Sequence, residues 1–524
     1  MIRQHNYYLG ELMKFIKKIF KVIFGRTTIA LIALCFQLAI LYVSYKFYQE
    51  YIGYIFTGFV ILSACIVIYI INAKQNPAFK LAWIIPVLVF PFFGVAMYLF
   101  VKTQQAPKRI NKKIKRISGE MNKNLEQNES ILSELKNENC DIHNLAYYMH
   151  NAGNFPVYKN TDIEYFPVGE VKFKKLIEEL KKAEKYIFME YFIIEKSKMW
   201  NIILEILEEK VKQGVEVRVM YDGMCSIAML PWNFPETLKK KGINCKIFSP
   251  IVPALSTCQN NRDHRKIVVI DGKVAFTGGV NIGDEYINEY DKYGHWKDTS
   301  IMLKGDAVKS FVLMFLQMWS IDEKTLKDYE KYINTEENLI KSSSYVIPYS
   351  DNPYDEDNIG EQVYMDIINT AKKYVHIMTP YLILDNEMIM ALKYAAKRGV
   401  DTVIIMPHVP DKIYAYLLAR TYYEELLEAG VKIYEYTPGF VHAKVFISDD
   451  DEAVVGTINL DFRSLYLNFE CAAYMYRNSA INYIEKDFER TLEECENITL
   501  ENHKKYSVFK KIIGRILSLF APLM

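Results

Sequence analysis

The sequence predicts an α/β protein built as two similar halves behind an N-terminal group of transmembrane helices. Three observations predict it. Short apolar strand runs alternate with stretches of helical periodicity, a set of local signatures recurs in the same order, and three uncharged apolar runs precede them. The chain has 524 residues, 51% hydrophobic and 24% charged, which excludes wholesale disorder and the collagen-like and disulfide-dense classes. Its eight cysteines (Cys35, Cys65, Cys140, Cys225, Cys245, Cys258, Cys471, Cys495) form no CxxC pair. That argues against zinc ribbons and thioredoxin-like redox motifs, and fits small core side chains in a reducing compartment.

Residues 27–45, 52–73 and 81–101 carry no charge, and each is about the length that spans a hydrocarbon core. The first follows an extended basic segment and lacks a small-residue cleavage site, so it does not read as a signal peptide. Lys46 to Tyr51 suit a tight helical hairpin between the first two runs. The third contains Pro86 and Pro91, so it either spans with a kink or dips in and returns.

Basic residues crowd beside these runs. Residues 1–26 hold Arg3, Lys14, Lys17, Lys18, Lys21 and Arg26 against Glu11, a net +5. Residues 102–116 hold Lys102, Lys108, Arg109, Lys112, Lys113, Lys115 and Arg116, a net +7. Lys504, Lys505, Lys510, Lys511 and Arg515 give the tail +5, and Lys46, Lys74 and Lys80 against Glu50 give +2. The total is only +1, so residues 117–503 hold −18. Basic loops stay on the cytoplasmic side, which puts both the N-terminus and residues 102–116 there. Two spans plus one re-entrant or interfacial segment satisfy this; three spans with an external N-terminus is the alternative. Such flanks also attract anionic lipid headgroups. In the tail, Phe509 to Phe520 has apolar residues at helical spacing and reads as an interfacial amphipathic helix or as a helix packed on the domain.

These readings divide the chain into a basic juxtamembrane segment (1–26), a membrane domain (27–101), a basic polar linker (102–145), a first half (146–340), a second half (341–502) and a basic amphipathic tail (503–524). The stretch 342–358, rich in Ser, Asn, Asp and Pro, is the expected joint between halves. The halves look alike. Ala183-Glu184-Lys185-Tyr186-Ile187 matches Ala371-Lys372-Lys373-Tyr374-Val375, Lys212-Gln213-Gly214-Val215 matches Lys397-Arg398-Gly399-Val400, and Lys241-Gly242-Ile243 matches Ala429-Gly430-Val431. Helices are expected over 171–184, 200–213, 360–373 and 386–398, with strands over 186–194, 215–221, 374–379 and 402–406.

One signature carries chemistry. His264, Lys266, Asp271, Gly278 and Asn281 follow the pattern H-x-K-x4-D-x6-G-x-x-N, and His442, Lys444, Asp449, Gly456 and Asn459 repeat it. Alternate residues of a strand share one face, so each His and Lys point the same way. Halves placed face to face bring two His and two Lys to one pocket. Two lysines, with Asn281 and Asn459, suit a phosphate anion. Two histidines suit chemistry at it, one as nucleophile and one as general acid. The lysines stabilise charge on the phosphoryl transition state. No acidic cluster of metal-ligand spacing accompanies them, so a metal-free route without cofactor is preferred.

The paired motif is similar to the signature of the phospholipase D superfamily, over roughly residues 150 to 500. Asn459-Leu460-Asp461-Phe462-Arg463-Ser464 leading into Asn468-Phe469-Glu470 narrows the resemblance. So do Asn281-Ile282-Gly283-Asp284-Glu285-Tyr286 leading to Tyr293-Gly294-His295-Trp296-Lys297-Asp298-Thr299, and the membrane-proximal Asn76-Pro77-Ala78-Phe79-Lys80-Leu81-Ala82-Trp83. All three resemble the bacterial cardiolipin synthases. The resemblance implies two phospholipase D-like halves, each a mixed sheet flanked by helices, with the active site at their interface. It implies a multi-pass bacterial cell-membrane enzyme whose catalytic region is cytoplasmic. Two phosphatidylglycerols would give cardiolipin and glycerol through a phosphatidyl-histidine. It points to His264 as nucleophile and His442 as acid/base, although the residues by themselves leave the two equivalent. It makes Glu470 a carboxylate that orients a histidine, with Asp298 its first-half counterpart. Asp271 and Asp449 are expected to hold strand geometry within the motif. Thr457, where the first half has Gly279, offers a hydroxyl to phosphate.

Other readings are a membrane-bound phospholipase D-type hydrolase, another phosphatidyltransferase, or a nuclease or phosphodiesterase. The acidic body argues against a nucleic-acid partner, which needs basic surface. A non-catalytic scaffold would be marked by loss of one motif, and both are intact.

Overall fold

The computed structural model describes residues 52–104, 106–225, 229–251, 257–323, 329–333, 340–355 and 357–523, with residues 35, 39, 42, 43 and 46. The basic segment 1–26 and, apart from those positions, the first apolar run lie outside the described residues. The chain divides into two compact units. One holds residues to Pro107 with 251–258, and the other holds Lys108–Pro250 and Gln259–Pro522.

In the N-terminal unit the second apolar run is one helix, Ile52–Asn72, of 21 residues without a charge. The third run is two helices, Pro77–Val89 and Pro91–Thr103. Asn76 opens the first by accepting from Ala78 N–H at 2.9 Å. At 13 residues each arm is about 20 Å long, short of a hydrocarbon core of roughly 30 Å. The arms fold back on each other. The rings of Trp83 and Tyr98 meet edge-on at 5.4 Å, where fifteen residues of straight helix would part them by about 22 Å. Pro91 causes the break, because its ring excludes the carbonyl four residues back and it has no N–H to donate. Among the described residues no helix is long and apolar enough to be assigned as a membrane crossing.

The second unit contains two mixed sheets of the same design. The first runs Thr161–Phe166, Ser300–Gly305, Val274–Gly278, Lys266–Ile270, Tyr186–Tyr191, Glu216–Asp222, Asn244–Phe248. The second runs Tyr345–Asp351, Glu470–Tyr476, Glu452–Gly456, Val445–Ser448, Tyr374–Met378, Asp401–Pro407, Lys432–Tyr436, and adds Cys495–Ile498 at its far edge. Position by position the pairings agree. The first five strands of each are antiparallel neighbours and the next two steps are parallel. The helices Gly169–Lys182 and Lys198–Lys212 have counterparts in Ile359–Thr370 and Asn386–Lys397. Gly214 and Gly399, both at positive φ, end matching helices, which is why Gly-Val recurs there.

The central strands are apolar on both faces because both faces are covered. In Tyr186–Tyr191, Ile187, Met189 and Tyr191 face one apolar cluster while Tyr186 and Phe188 face another. The nearly all-buried helix Val308–Trp319 packs against strands of the first sheet and against Tyr345–Asp351 of the second, with Phe315 stacked on Phe188 at 4.7 Å.

Two expectations change here. The segment 102–145, expected as a linker in part helical, is more than a linker: it folds as Ala106–Met121, Glu129–Glu138 and the start of Cys140–Gly153. Ile114, Ile117, Met121, Leu132, Leu135 and Ile142 form a buried stripe that joins the main core. Helical spacing dilutes such a stripe with Lys, Asn and Glu on the other face, so average polarity hid it. The stretch 342–358 likewise holds an edge strand, Tyr345–Asp351, where Pro348 is tolerated.

Candidate active site

Each motif histidine sits just before a central strand, His264 ahead of Lys266–Ile270 and His442 ahead of Val445–Ser448. The backbone there is stitched to the other half. His264 N donates to Phe469 O at 2.9 Å and Phe469 N to Arg262 O at 2.8 Å, which sets His264 beside Glu470. Gly439–Val441 pairs in parallel with His295–Lys297, and His442 N donates to Lys297 O at 2.7 Å, which sets His442 beside Asp298. Lys297 is fixed in turn by Asp487, 2.7 Å away on the second-half helix Ala480–Glu493. Sheet register makes the two carboxylates equivalent. Gly278 pairs with Ser300 and Gly456 with Ala472, so each acid lies two residues before the partner of a motif glycine.

The side chains complete an exchange between halves. His264 Nδ1 lies 2.9 Å from Glu470 Oε2, and His442 Nδ1 lies 2.7 Å from Asp298 Oδ2. Each imidazole donates Nδ1–H to a carboxylate of the opposite half, which leaves Nε2 as its reacting atom. Lys266 Nζ donates to His264 O at 2.6 Å, and Lys444 Nζ donates to His442 O. One such bond occupies one of three ammonium hydrogens and leaves capacity for an anion.

Comparison with known proteins agrees. A family described as "Cardiolipin synthase, PLD-like domain" matches residues 176–319 and 364–492. A "Phospholipase_D-nuclease N-terminal" family matches residues 60–102. A cardiolipin synthase of Alkalihalophilus pseudofirmus is 34% identical over 506 residues, 95% of this chain and 99% of that protein. The chain belongs to the cardiolipin synthase family of phospholipase D-like proteins. Membership makes it a phosphatidyltransferase. Cardiolipin synthase 2 of Bacillus cereus is 35% identical over 482 residues, 90% of this chain and 91% of that protein. An uncharacterized protein of Streptococcus mutans is 50% identical over 460 residues, 87% and 99% of the two chains. The solved phosphatidylserine synthase of Haemophilus influenzae shares the fold, with a TM-score of 0.55 at 16% identity over 72% of this chain and 98% of that one.

In this member of the cardiolipin synthase family, burial dominates the electrostatics. It pushes both imidazoles well below their usual range, and the two lysines add to the effect. It lowers Lys266 to about 8 and Lys444 to about 7, and raises Glu470 to about 7 and Asp298 to about 6. Every one of these groups is costly to charge alone, and an anion in the site would favour the charged forms of the lysines and histidines.

The other expected residues sort by contact. Asp271 accepts from the backbone N–H of Glu184, Lys185 and Tyr186, and Asp449 from Lys372, Lys373 and Tyr374. Both stand at positive φ in the turn after their strand and hold the neighbouring strand's start, away from the histidines. Asn281 Oδ1 accepts from Ile193 N–H at 3.1 Å, and Asn459 Nδ2 donates to Ser464 Oγ at 3.1 Å. Thr457 differs from expectation. Its fully buried hydroxyl donates to Glu470 rather than standing open to a phosphate.

Sequence reasoning missed three features. Lys412, half-exposed, acts electrostatically on both histidines from the segment that follows the strand Asp401–Pro407. Lys172 is buried, lowered to about 7, donates to Tyr191 Oη at 3.0 Å, and its charge acts on Asp298. His442 is walled by Tyr286, Trp296 and Phe440, with ring centroids 5.9, 5.2 and 5.9 Å away. Of these, Tyr286 and Trp296 lie in a stretch that carries the family resemblance, and Phe440 is a neighbour of His442 in sequence.

Proposed function

We propose that the protein joins two phosphatidylglycerols into cardiolipin with release of glycerol, through a phosphatidyl group held on His264. The observation that supports it is the reciprocal pairing of two buried histidines with carboxylates of opposite halves, beside two buried lysines. His264, neutral and held by Glu470, attacks the phosphorus through Nε2. The phosphorus–oxygen bond to the headgroup glycerol breaks, and His442 gives that oxygen a proton. Asp298, at about 6, is ionised at neutral pH and favours the protonated form of His442 that this step needs. The bound phosphodiester offsets the lysine charges that depress His442 in the empty site. In the second step His442 takes the proton of a primary hydroxyl on another phosphatidylglycerol. That oxygen attacks the phosphorus, and the bond to His264 breaks. Lys266 and Lys444 hold the non-bridging oxygens throughout. Asn281 and Asn459 fix the loops behind the pair. No cofactor enters this route.

The same reading puts the N-terminal unit in the bilayer. Ile52–Asn72 crosses it, the first apolar run, which lies outside the described residues, is expected from its sequence to be the second crossing, and the Pro77–Val89 and Pro91–Thr103 hairpin enters and returns. Both basic segments then lie on the cytoplasmic side with the catalytic unit. Anionic lipids are its surroundings as well as its substrate.

Product analysis on phosphatidylglycerol vesicles tests the reading. Cardiolipin with matching free glycerol, lost in His264→Ala and His442→Ala, is the expected result. Phosphatidic acid instead would make water the acceptor and the protein a hydrolase.

A further inference from the structure

The C-terminal helix, Val508–Ser518, is seated on its own unit by one side and presents an apolar face on the other. Gly514 rests on the helix Ile413–Glu428, where a Cβ would come within 2.6 Å of Leu417 O and 2.7 Å of Thr421 Cγ2. At about 100° per residue, Val508, Ile512, Ile516 and Leu519 fall on the side away from Gly514. They are 72%, 50%, 53% and 52% exposed, and Phe509 and Phe520 on the edge of the same arc are 71% and 51% exposed. An amphipathic helix ordinarily turns its apolar stripe to the core; this one turns it outward.

Charge selects what covers the stripe. Lys510 lies on one flank and Lys511 and Arg515 on the other, with Lys504 and Lys505 just before and no acid in the helix. A second copy would bring two cationic stripes together, whereas an apolar arc between cations matches the headgroups and upper acyl chains of an anionic bilayer. The position matters as well. The chain runs on to Ala521, which lines a cleft with Tyr381, Lys412, Tyr414, Asp461 and Arg463. From this cleft Lys412 and Asp461 act on His264, and beside it Ile413 and Tyr414 are exposed.

From this placement we infer that the C-terminal helix docks on the surface of an anionic phospholipid bilayer and holds the Lys412 cleft, and with it the two histidines, at the lipid face. It deepens the proposed lipid-acting function, but its first test does not depend on that function. A photoactivatable diazirine amino acid is placed at Ile516 in the full chain, reconstituted in vesicles containing radiolabelled phosphatidylglycerol. Tyr483, exposed on another helix, carries the same group as control. The expected result is a labelled lipid adduct at position 516, several-fold stronger than at 483 and weaker when phosphatidylcholine replaces most of the anionic lipid. A crosslink to a second protein copy, or equal labelling at the two positions, overturns the proposal. The second test does use activity. Ile512→Ser with Ile516→Ser is expected to lower turnover of vesicle substrate relative to dispersed short-chain substrate by about tenfold. An unchanged ratio overturns the link between docking and catalysis.

Discussion

The Gly279–Asp298 corner of the first half and the Thr457–Glu470 corner of the second occupy equivalent places in the two sheets, yet they are filled differently. At the first, the aspartate carboxylate lies flat against the backbone, and a Cβ on Gly279 would stand 1.9 Å from its Oδ1. At the second, the acid is one methylene longer. Thr457 fills the space and donates to it, and Asn468 Nδ2 adds a bond at 3.3 Å. The histidines they serve also differ. His442 has three aromatic neighbours, while His264 has Phe192 edge-on at 5.0 Å. A duplicated fold has thus repeated the charge layout while giving the two imidazoles different surroundings, which fits the proposed division into a nucleophile and an acid/base.

The largest effect that can break this comparison comes from the histidines. His264→Ala and His442→Ala should each lower turnover by roughly 10³-fold or more. Quenching in detergent at mildly alkaline pH, which keeps a phosphorus–nitrogen bond intact, should with labelled phosphatidylglycerol trap lipid on the His442 variant and none on the His264 variant; the opposite pattern exchanges their roles. Next come the acids. Asp298→Asn and Glu470→Gln keep shape but remove the charge that orients each ring, and a loss on the order of 10²- to 10⁴-fold is expected, as for the carboxylate of a catalytic triad. Because the pairing is reciprocal, Asp298→Asn should impair His442 chemistry and leave trapped intermediate, whereas Glu470→Gln should slow its formation.

The two corners themselves should then respond unequally. Gly279→Ala must displace the Asp298 carboxylate and should cost about 10- to 100-fold in turnover. Thr457→Ala only removes a donor from Glu470, worth about tenfold. Equal losses would mean that the corners are interchangeable. The smallest effect is in pH. In the free enzyme kcat/KM should fall as pH rises through about 7 and then about 8, where Lys444, at about 7, and Lys266, at about 8, lose the protons that hold phosphate. It should also fall towards pH 6 as Glu470, at about 7, and Asp298, at about 6, become neutral. Thr457→Ala should move only the acidic limb upward, because the lost hydrogen bond favoured the ionised Glu470.

Much of this site was legible as residue types. The two H-x-K-x4-D stretches named both histidines and both lysines, and the acid eleven residues past Asn459 named Glu470. Lys412 and Lys172 were not legible, since neither lies in the matched sequence signatures and lone lysines are ordinary surface residues. Thr457 was misplaced because a strand-end hydroxyl looks the same in sequence whether it faces a ligand or a neighbouring carboxylate.

The sequence by itself determined the duplication, the residue types of the candidate site and the uncharged runs, because these follow from local spacing: two residues along a strand, about twenty along a span. Tertiary structure alone decided which acid serves which histidine, for those partners lie 206 and 144 residues apart and meet only where the two sheets face each other. It also turned the third apolar run back on itself and the apolar stripe of the last helix outward. In each case composition is blind to the outcome, because the same side chains satisfy either arrangement until packing removes one of them.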